Sequence, residues 1–206
     1  MPKFNAEHLR PLEYMASPDP RWSGFGGLNI DGIHEPITIE RYAEPIQKIK
    51  LNTSVPELVV IHFETAKNLA LYAWNVYRFT PVAELYAYIS IELALRDITG
   101  DKKRPFKKLF EKAIENKILS NEKFSRWKHV TEQREHQYQE RIELAQDLDI
   151  EGPKPPEYWN YLDVIVKNIP YFRNDYAHGS TNIYPWAYTA LKDSAEIINQ
   201  LYETRI

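Results

Sequence analysis

Between residues 56 and 202 the sequence alternates long segments of helical periodicity with short breaks rich in proline and glycine. A proline interrupts the hydrogen bonds of a helix, and a glycine commonly ends one. The pattern predicts six helices, over residues 56–79, 80–100, 105–119, 120–148, 157–169 and 185–202. In the last of them an apolar residue recurs every three or four positions, at Ala187, Leu191, Ala195, Ile198 and Leu201. The fold class predicted is therefore all-α, a helical bundle of four to six helices.

Residues 1–55 have a different character, since they hold six of the fourteen prolines and four of the seven glycines. Two short alternating segments, 37–42 and 46–51, are typical of strands. We expect an irregular or partly β arm that packs on the core, because so short a segment cannot bury a core of its own. The sequence thus predicts two units, the arm at 1–55 and the bundle at 56–206.

The composition limits the class of protein. Hydrophobic residues make up 43% and charged residues 27% of the chain, as in soluble globular proteins. Its apolar runs are shorter than the roughly 18–20 residues that cross a bilayer, and its first residues lack the pattern of a secretion signal. Cysteine is absent, which excludes disulfides and thiolate chemistry and fits a reducing compartment. We expect a cytoplasmic protein without a membrane partner.

The charge is distributed unevenly along the chain. A net charge of −3 argues against a protein that coats nucleic acid, because such binding depends on many cations. Residues 101–134, however, hold eleven Lys/Arg against five Asp/Glu, a local charge of +6. The densest part is a basic cluster of five residues, Lys102, Lys103, Arg104, Lys107 and Lys108. This cluster is either a solvated face or a surface that contacts RNA.

A polar segment from Arg173 to Gly179 lies between the last two predicted helices. It contains Arg173, whose planar fork of donors can grip a phosphate, and His178, which can move a proton near neutral pH. A guanidinium and an imidazole are the minimum equipment for cleaving a phosphodiester without a metal. The alternative is a connecting loop, in which Arg173 and Asn174 cap helix ends and Gly179 supplies a turn.

Glu92 occupies an apolar position of the second predicted helix, in step with Leu85, Tyr88 and Leu95. A carboxylate on such a stripe requires a partner. One hypothesis is an ion pair within the helix with Arg96, four residues further on. The other is that Glu92 reaches across the bundle and orients Arg173 or His178.

A second set of polar residues falls on one face of the fourth predicted helix, at His129, Glu132, His136 and Glu140. This spacing could hold a divalent metal, which would make the chain a helical metalloprotein. A di-iron bundle needs matching ligands from other helices, and the sequence has no second Glu-x-x-His motif. The surrounding charged residues favour a solvated face, and we expect neither a metal nor another cofactor.

The Arg-x4-His spacing of Arg173, Asn174 and His178, before the last helix of a helical bundle, resembles the signature of the HEPN superfamily. Residues 84–96 also resemble the earlier helix of that family, which commonly carries a buried glutamate. The resemblance covers about residues 56–204. It implies a four- or five-helix bundle that dimerises, with Arg173 and His178 as the active pair, Asn174 as a supporting polar residue and Glu92 as an orienting acid.

The resemblance also implies an activity, metal-independent endoribonuclease action in toxin–antitoxin or antiviral systems, with a neutralising or activating protein partner. Cleavage through the 2′-hydroxyl of RNA needs a base, an acid and positive charge on the phosphate. A two-fold dimer would bring two copies of Arg173 and His178 to one cleft and supply all three. The alternative is a non-catalytic HEPN-like module that binds nucleotides, RNA or a protein. One branch of the family is controlled by modification of a tyrosine two residues after the histidine, where this chain has Ser180.

Overall fold

The computed structural model describes residues 4–180, 183–184 and 187–203. In these ranges the chain forms seven α-helices and a small antiparallel sheet, which confirms the predicted fold class. The strands are β1 (Gly26–Leu28) and β2 (His34–Pro36). The helices are α1 (Ile39–Lys48), α2 (Glu57–Tyr72), α3 (Phe79–Thr99), α4 (Phe106–Glu115), α5 (Ser125–Asp147), α6 (Tyr161–Ala177) and α7 (Ala187–Tyr202).

Helix α3 lies at the centre of the bundle and contacts α2, α4, α6 and α7. Several of its inward positions are small or aliphatic, and the side chains of Ala83, Ala87, Ile91 and Ala94 are fully buried. Small residues let neighbouring helices approach closely. The helix ends at Gly100, whose φ of +67° provides the expected left-handed C-terminal cap. A buried polar residue on α3 therefore lies close to other helices.

The prediction of strands at 37–42 and 46–51 is wrong, because most of these residues form or flank α1. The Thr38 hydroxyl caps the helix by accepting a hydrogen bond from the Arg41 amide at 3.3 Å. Tyr42, Ile46 and Ile49 are spaced by four and three residues, and they pack against the core. The alternation of apolar and polar residues in this segment was therefore helical periodicity seen over too short a window.

The arm packs on the turn between α2 and α3. The ring of Trp22 stacks on Trp74 with 6.2 Å between centroids, and its Nε1–H donates to the carbonyl of Ala73 at 3.0 Å. Trp22, Trp74 and Tyr77 form a small buried cluster apart from the main core. Ile183, from the connection between α6 and α7, packs against it. The arm and the segment that follows α6 therefore meet at one end of the bundle.

Helix α6 differs most from the sequence prediction. The sequence predicts a helix at 157–169 followed by a loop, but α6 begins at Tyr161 and continues through Pro170 to Ala177. Pro170 cannot donate the usual backbone hydrogen bond, which weakens a helix interior. Ile169 and Pro170 are buried, and Phe172 and Tyr176 pack on the core, so apolar contacts on both sides of the proline hold the helix. The interpretation of Arg173 to Gly179 as a loop is therefore wrong for residues 173–177, which are helical, whereas Gly179 does supply the expected turn.

Helix α5 lies on the outside of the bundle, and Ala145 is its one buried residue. The segment that follows crosses back over it, where the Trp127 indole donates to the carbonyl of Trp159 at 3.1 Å. The predicted start of the last helix near Pro185 lies outside the described residues, and the described part of that helix begins at Ala187. None of the helices in the described ranges is long and apolar enough to cross a membrane.

Candidate functional site

The candidate site lies at the C-terminal end of α6, which has a defined geometry. His178 is the C-cap, and Gly179 follows it with φ of +86°. The amide of Gly179 donates to the carbonyl of Tyr176 at 3.2 Å, and the amide of Ser180 donates to that of Asp175 at 3.1 Å. This is a Schellman motif, which satisfies the last helical carbonyls through a residue with left-handed backbone. The backbone of His178 is therefore fixed at the end of the helix.

Arg173 lies one turn before the end of α6 and faces α3. Its Nη2 lies 3.0 Å from Oε2 of Glu92, and its Nη1 donates to Oδ1 of Asn174 at 3.3 Å. The side chain of Arg173 is 33% exposed, whereas that of Glu92 is 13% exposed. The buried Nε–H of Arg173 makes no hydrogen bond to the part of the chain that the structure describes. Glu92 and Asn174 thus hold the guanidinium, which stays partly exposed to solvent.

Glu92 contacts two arginines at once, Arg96 of its own helix and Arg173 across the bundle. Its Oε1 accepts from Nη2 of Arg96 at 2.6 Å, while its Oε2 contacts Arg173. Together these three side chains carry a net charge of +1. A partly exposed cluster with excess positive charge favours an anion. That Glu92 orients Arg173 for catalysis stays a prediction.

Arg96 connects this ion pair to the basic cluster. Its Nη1 donates to the carbonyl of Lys102 and, at 3.4 Å, to that of Asp101. The loop after α3 is therefore joined to Glu92 and, through Glu92, to Arg173 by an unbroken series of direct contacts. The sequence placed these residues in separate groups, and the structure brings them together.

The basic cluster divides into paired and unpaired cations. Arg104 pairs with Asp101 at 2.9 Å, and Lys108 pairs with Glu111 at 2.7 Å. Within the described ranges the members of the cluster without an ion pair are exposed, and they are Lys102, Lys103 and Lys107. These three are the cations that an external anion could bind without displacing a carboxylate.

Arg173 and His178 do not share one face of α6. Five helical residues separate them, which corresponds to about 7.5 Å along the axis and about 140° around it. Arg173 faces α3, and the imidazole of His178 is exposed. In one chain the two groups therefore leave the helix in different directions, although both lie at its C-terminal end.

A partly buried pair that the sequence interpretation missed joins Tyr176 of α6 to α3. The hydroxyl of Tyr176 donates to Oε2 of Glu84 on α3 at 2.8 Å, and the Glu84 side chain is buried. Oε1 of Glu84 is also buried and has no hydrogen-bond partner among the described residues. The signal that could have found this pair is the four-residue spacing of Glu84, Tyr88, Glu92 and Arg96, which places all four on one side of α3.

Burial changes the acid–base properties of this region. It raises the pKa of Glu84 to about 7, although the hydrogen bond from Tyr176 acts in the opposite direction. Burial also raises the pKa of Tyr176 and Tyr88, and the neighbouring carboxyl of Glu84 adds to both shifts. Asp193 on α7 has a pKa raised to about 6, again mainly by burial. Between α3, α6 and α7, Glu84 and Asp193 thus keep their protons to a higher pH than ordinary carboxyl groups do.

The His/Glu face of α5 is exposed to solvent. His129, Glu132, His136 and Glu140 are all exposed, and Nδ1 of His136 lies 3.5 Å from Oε1 of Glu140. The described ranges contain no group of three or more His, Asp or Glu side chains that could hold a metal ion. The solvated face that the sequence favours here agrees with this exposure.

Comparisons of the chain with family models, with curated proteins and with solved structures give no match.

Proposed function

We propose that this protein is a metal-independent endoribonuclease that cleaves RNA through its 2′-hydroxyl, with Arg173 and His178 as its active pair. The resemblance to the HEPN superfamily motivates the proposal. The observation that carries it is the environment of Arg173, a partly exposed guanidinium held by Glu92 at the end of the helix that also ends in His178.

The chemistry assigns a role to each group. The attacking 2′-hydroxyl must lose a proton, and the leaving 5′-oxygen must gain one, which an imidazole can mediate in either direction. The phosphate gains negative charge in the transition state, and a guanidinium held beforehand by protein contacts stabilises that charge without reorganisation. Asn174 supports the guanidinium through its side-chain oxygen. The requirement for a 2′-hydroxyl restricts the substrate to RNA.

The separation of Arg173 and His178 around α6 supports a composite site. Since the two side chains of one chain leave the helix about 140° apart, a single copy presents them poorly to one phosphate. In a two-fold dimer each chain can contribute residues to a shared cleft, with Arg173 of one copy near His178 of the other. We propose a cytoplasmic homodimer with RNA as substrate, active in a toxin–antitoxin or antiviral system with a neutralising or activating protein partner.

A second candidate is a non-catalytic module that binds RNA or a nucleotide. The excess positive charge shared by Arg96, Glu92 and Arg173 suits anion binding whether or not cleavage follows. This candidate predicts stable complexes with RNA and no products.

The test compares three oligonucleotides of one sequence, as RNA, as DNA and as 2′-O-methyl RNA. The proposal predicts cleavage of the RNA alone, with products that end in a 2′,3′-cyclic phosphate. Cleavage of DNA at a similar rate, or products with a free 3′-hydroxyl, would show that the 2′-oxygen is not the nucleophile. Binding of all three without cleavage would favour the second candidate.

A further inference from the structure

The loop after α3 has a fixed position relative to Arg173. Gly100 ends α3, and the Asp101 carboxylate accepts hydrogen bonds from the amides of Lys103 at 3.1 Å and Arg104 at 3.0 Å. A side chain that binds the amides two and three residues on stabilises a tight turn. The Arg96 guanidinium also donates hydrogen bonds to the carbonyls of Asp101 and Lys102 in this turn. The loop is thus fixed both by its own carboxylate and by α3.

Arg96 is the residue that two separate contacts share. One Nη binds the carboxylate of Glu92, and the other binds the carbonyl of Lys102. A guanidinium presents several donors in a rigid fork, so it can fix two partners at a set distance, which an ammonium group does less well. Glu92 in turn holds Arg173. The position of Lys102 relative to Arg173 is therefore determined by Arg96 and Glu92.

We propose that residues 101–104 form a second phosphate-binding site, in which Lys102 and Lys103 hold a backbone phosphate of RNA next to the phosphate at Arg173. Arg96 is the positioning residue that sets the spacing between the two sites. This inference rests on the proposed function and adds to it a direction for the RNA strand, from Arg173 over Arg96 toward the loop. Arg104 contributes less, because its guanidinium is already paired with Asp101.

The binding test measures RNA affinity against salt concentration in a His178→Ala background, which removes cleavage. Each lysine that neutralises a phosphate of single-stranded RNA contributes about 0.7 to the slope of log affinity against log salt. Because Lys102 and Lys103 hold the same phosphate, the magnitude of the slope should fall by about 0.7 when both are changed to alanine, and by part of that in Lys102→Ala or Lys103→Ala alone. Lys128→Ala, an exposed lysine on α5, is the control and should leave the slope unchanged. The proposal would be overturned if Lys102→Ala and Lys103→Ala changed the slope no more than Lys128→Ala does.

The positioning role of Arg96 has a readout that needs no RNA. In Arg96→Met the loop loses its anchor, so hydrogen exchange at the amides of Lys103 and Arg104 should accelerate at least tenfold. The exchange of α7 should stay unchanged, which controls for a general loss of stability. Unchanged exchange at the two loop amides would overturn the positioning role even if the protein cleaves RNA.

Kinetics separate positioning from loss of folded protein. A smaller folded fraction lowers the apparent kcat and leaves KM unchanged, whereas a displaced phosphate site raises KM. We expect Arg96→Met to raise KM for RNA several-fold and Arg96→Lys to restore part of the loss. A change in kcat alone would overturn the positioning role. If the wild-type protein binds no RNA at any salt concentration, the proposed function fails together with the phosphate site, whereas the exchange experiment still reports the coupling.

Discussion

Oε2 of Glu92 lies 3.0 Å from Nη2 of Arg173, which joins the central helix α3 to the C-terminal turn of α6. The same carboxylate binds Arg96, so its removal would leave two guanidinium groups side by side in a partly buried setting. Unpaired charges in such positions destabilise the folded state, because protein groups solvate them less well than water does. This contact makes the stability of the fold and the position of the candidate catalytic arginine depend on one residue.

The first prediction concerns this contact. Glu92→Gln keeps the shape of the side chain and removes its charge, so the two arginines repel each other. We expect the free energy of unfolding to fall by about 1–3 kcal/mol and RNA cleavage to fall at least tenfold. Urea unfolding and initial cleavage rates measure the two effects.

The matched control for Glu92→Gln is Glu64→Gln, which removes a more exposed ion pair with Lys67 three residues away. Such pairs contribute about 0–1 kcal/mol, so this variant should resemble the wild type in both assays. A Glu92→Gln variant with wild-type cleavage would contradict the orienting role of Glu92.

The second prediction concerns the pH dependence of stability. The pKa of Glu84 is raised to about 7 in the folded protein, against an ordinary value of 4.5. Between these values the unfolded chain has lost the proton that the native state keeps, so the contribution of Glu84 to stability falls as the pH rises. It is fully present below pH 4.5 and lost above pH 7.

Glu84→Gln tests this dependence, because the amide does not titrate. Relative to the wild type, the variant should become more stable as the pH rises from 4.5 to 7, and the difference should stay constant above 7. Urea unfolding at several pH values measures the difference. A difference that is independent of pH over this range would show that Glu84 has an ordinary pKa in the native state.

The third prediction concerns the hydrogen bond between Tyr176 and Glu84. Tyr176→Phe removes the donor and leaves both buried oxygens of Glu84 without a partner in the described structure. We expect a loss of about 1–3 kcal/mol in the free energy of unfolding and a further rise in the pKa of Glu84. Tyr171→Phe changes an exposed tyrosine of the same helix and should have little effect. Equal stability of the two variants would mean that the hydrogen bond makes no net contribution.

The fourth prediction concerns Gly179. A Cβ there would have no atom of the described residues within 4 Å, so the expected cost of Gly179→Ala comes from the backbone φ of +86°. We expect the free energy of unfolding to fall by about 1 kcal/mol. The cleavage rate should fall by more than the smaller folded fraction accounts for, because the turn fixes His178. Gly152 has ordinary φ and open space around it, so Gly152→Ala is the control. A Gly179→Ala variant as active as the control would show that the turn does not position His178.

The sequence allowed prediction of the fold class and of most helix positions from Glu57 to Tyr202, because the apolar stripes there are long. Helix α1 was not predictable, because its ten residues give too few periods to distinguish a helix from alternating strands. The continuation of α6 through Pro170 was not predictable either, because burial of the neighbouring apolar residues outweighs the lost hydrogen bond. Local propensity determines an element only where tertiary contacts do not oppose it.

The candidate site was predictable in part. The importance of Glu92 followed from a charge at an apolar position, and its contact with Arg173 was one of two hypotheses. The link from Arg96 to the loop at Lys102 could not be predicted, since it depends on how a side chain and a turn meet in space. Glu84 was missed because it stands one position before the apolar stripe assigned to that helix, whose first member is Leu85.

The central claim is that Arg173 and His178 cleave RNA without a metal ion. The most direct test incubates RNA with purified protein in excess EDTA and compares the wild type with His178→Ala and Arg173→Ala. His136→Ala, which removes an exposed histidine of α5, serves as the control. The account predicts cleavage by the wild type and the control, and at least a hundredfold less by the other two variants. Cleavage by His178→Ala at the wild-type rate would contradict it.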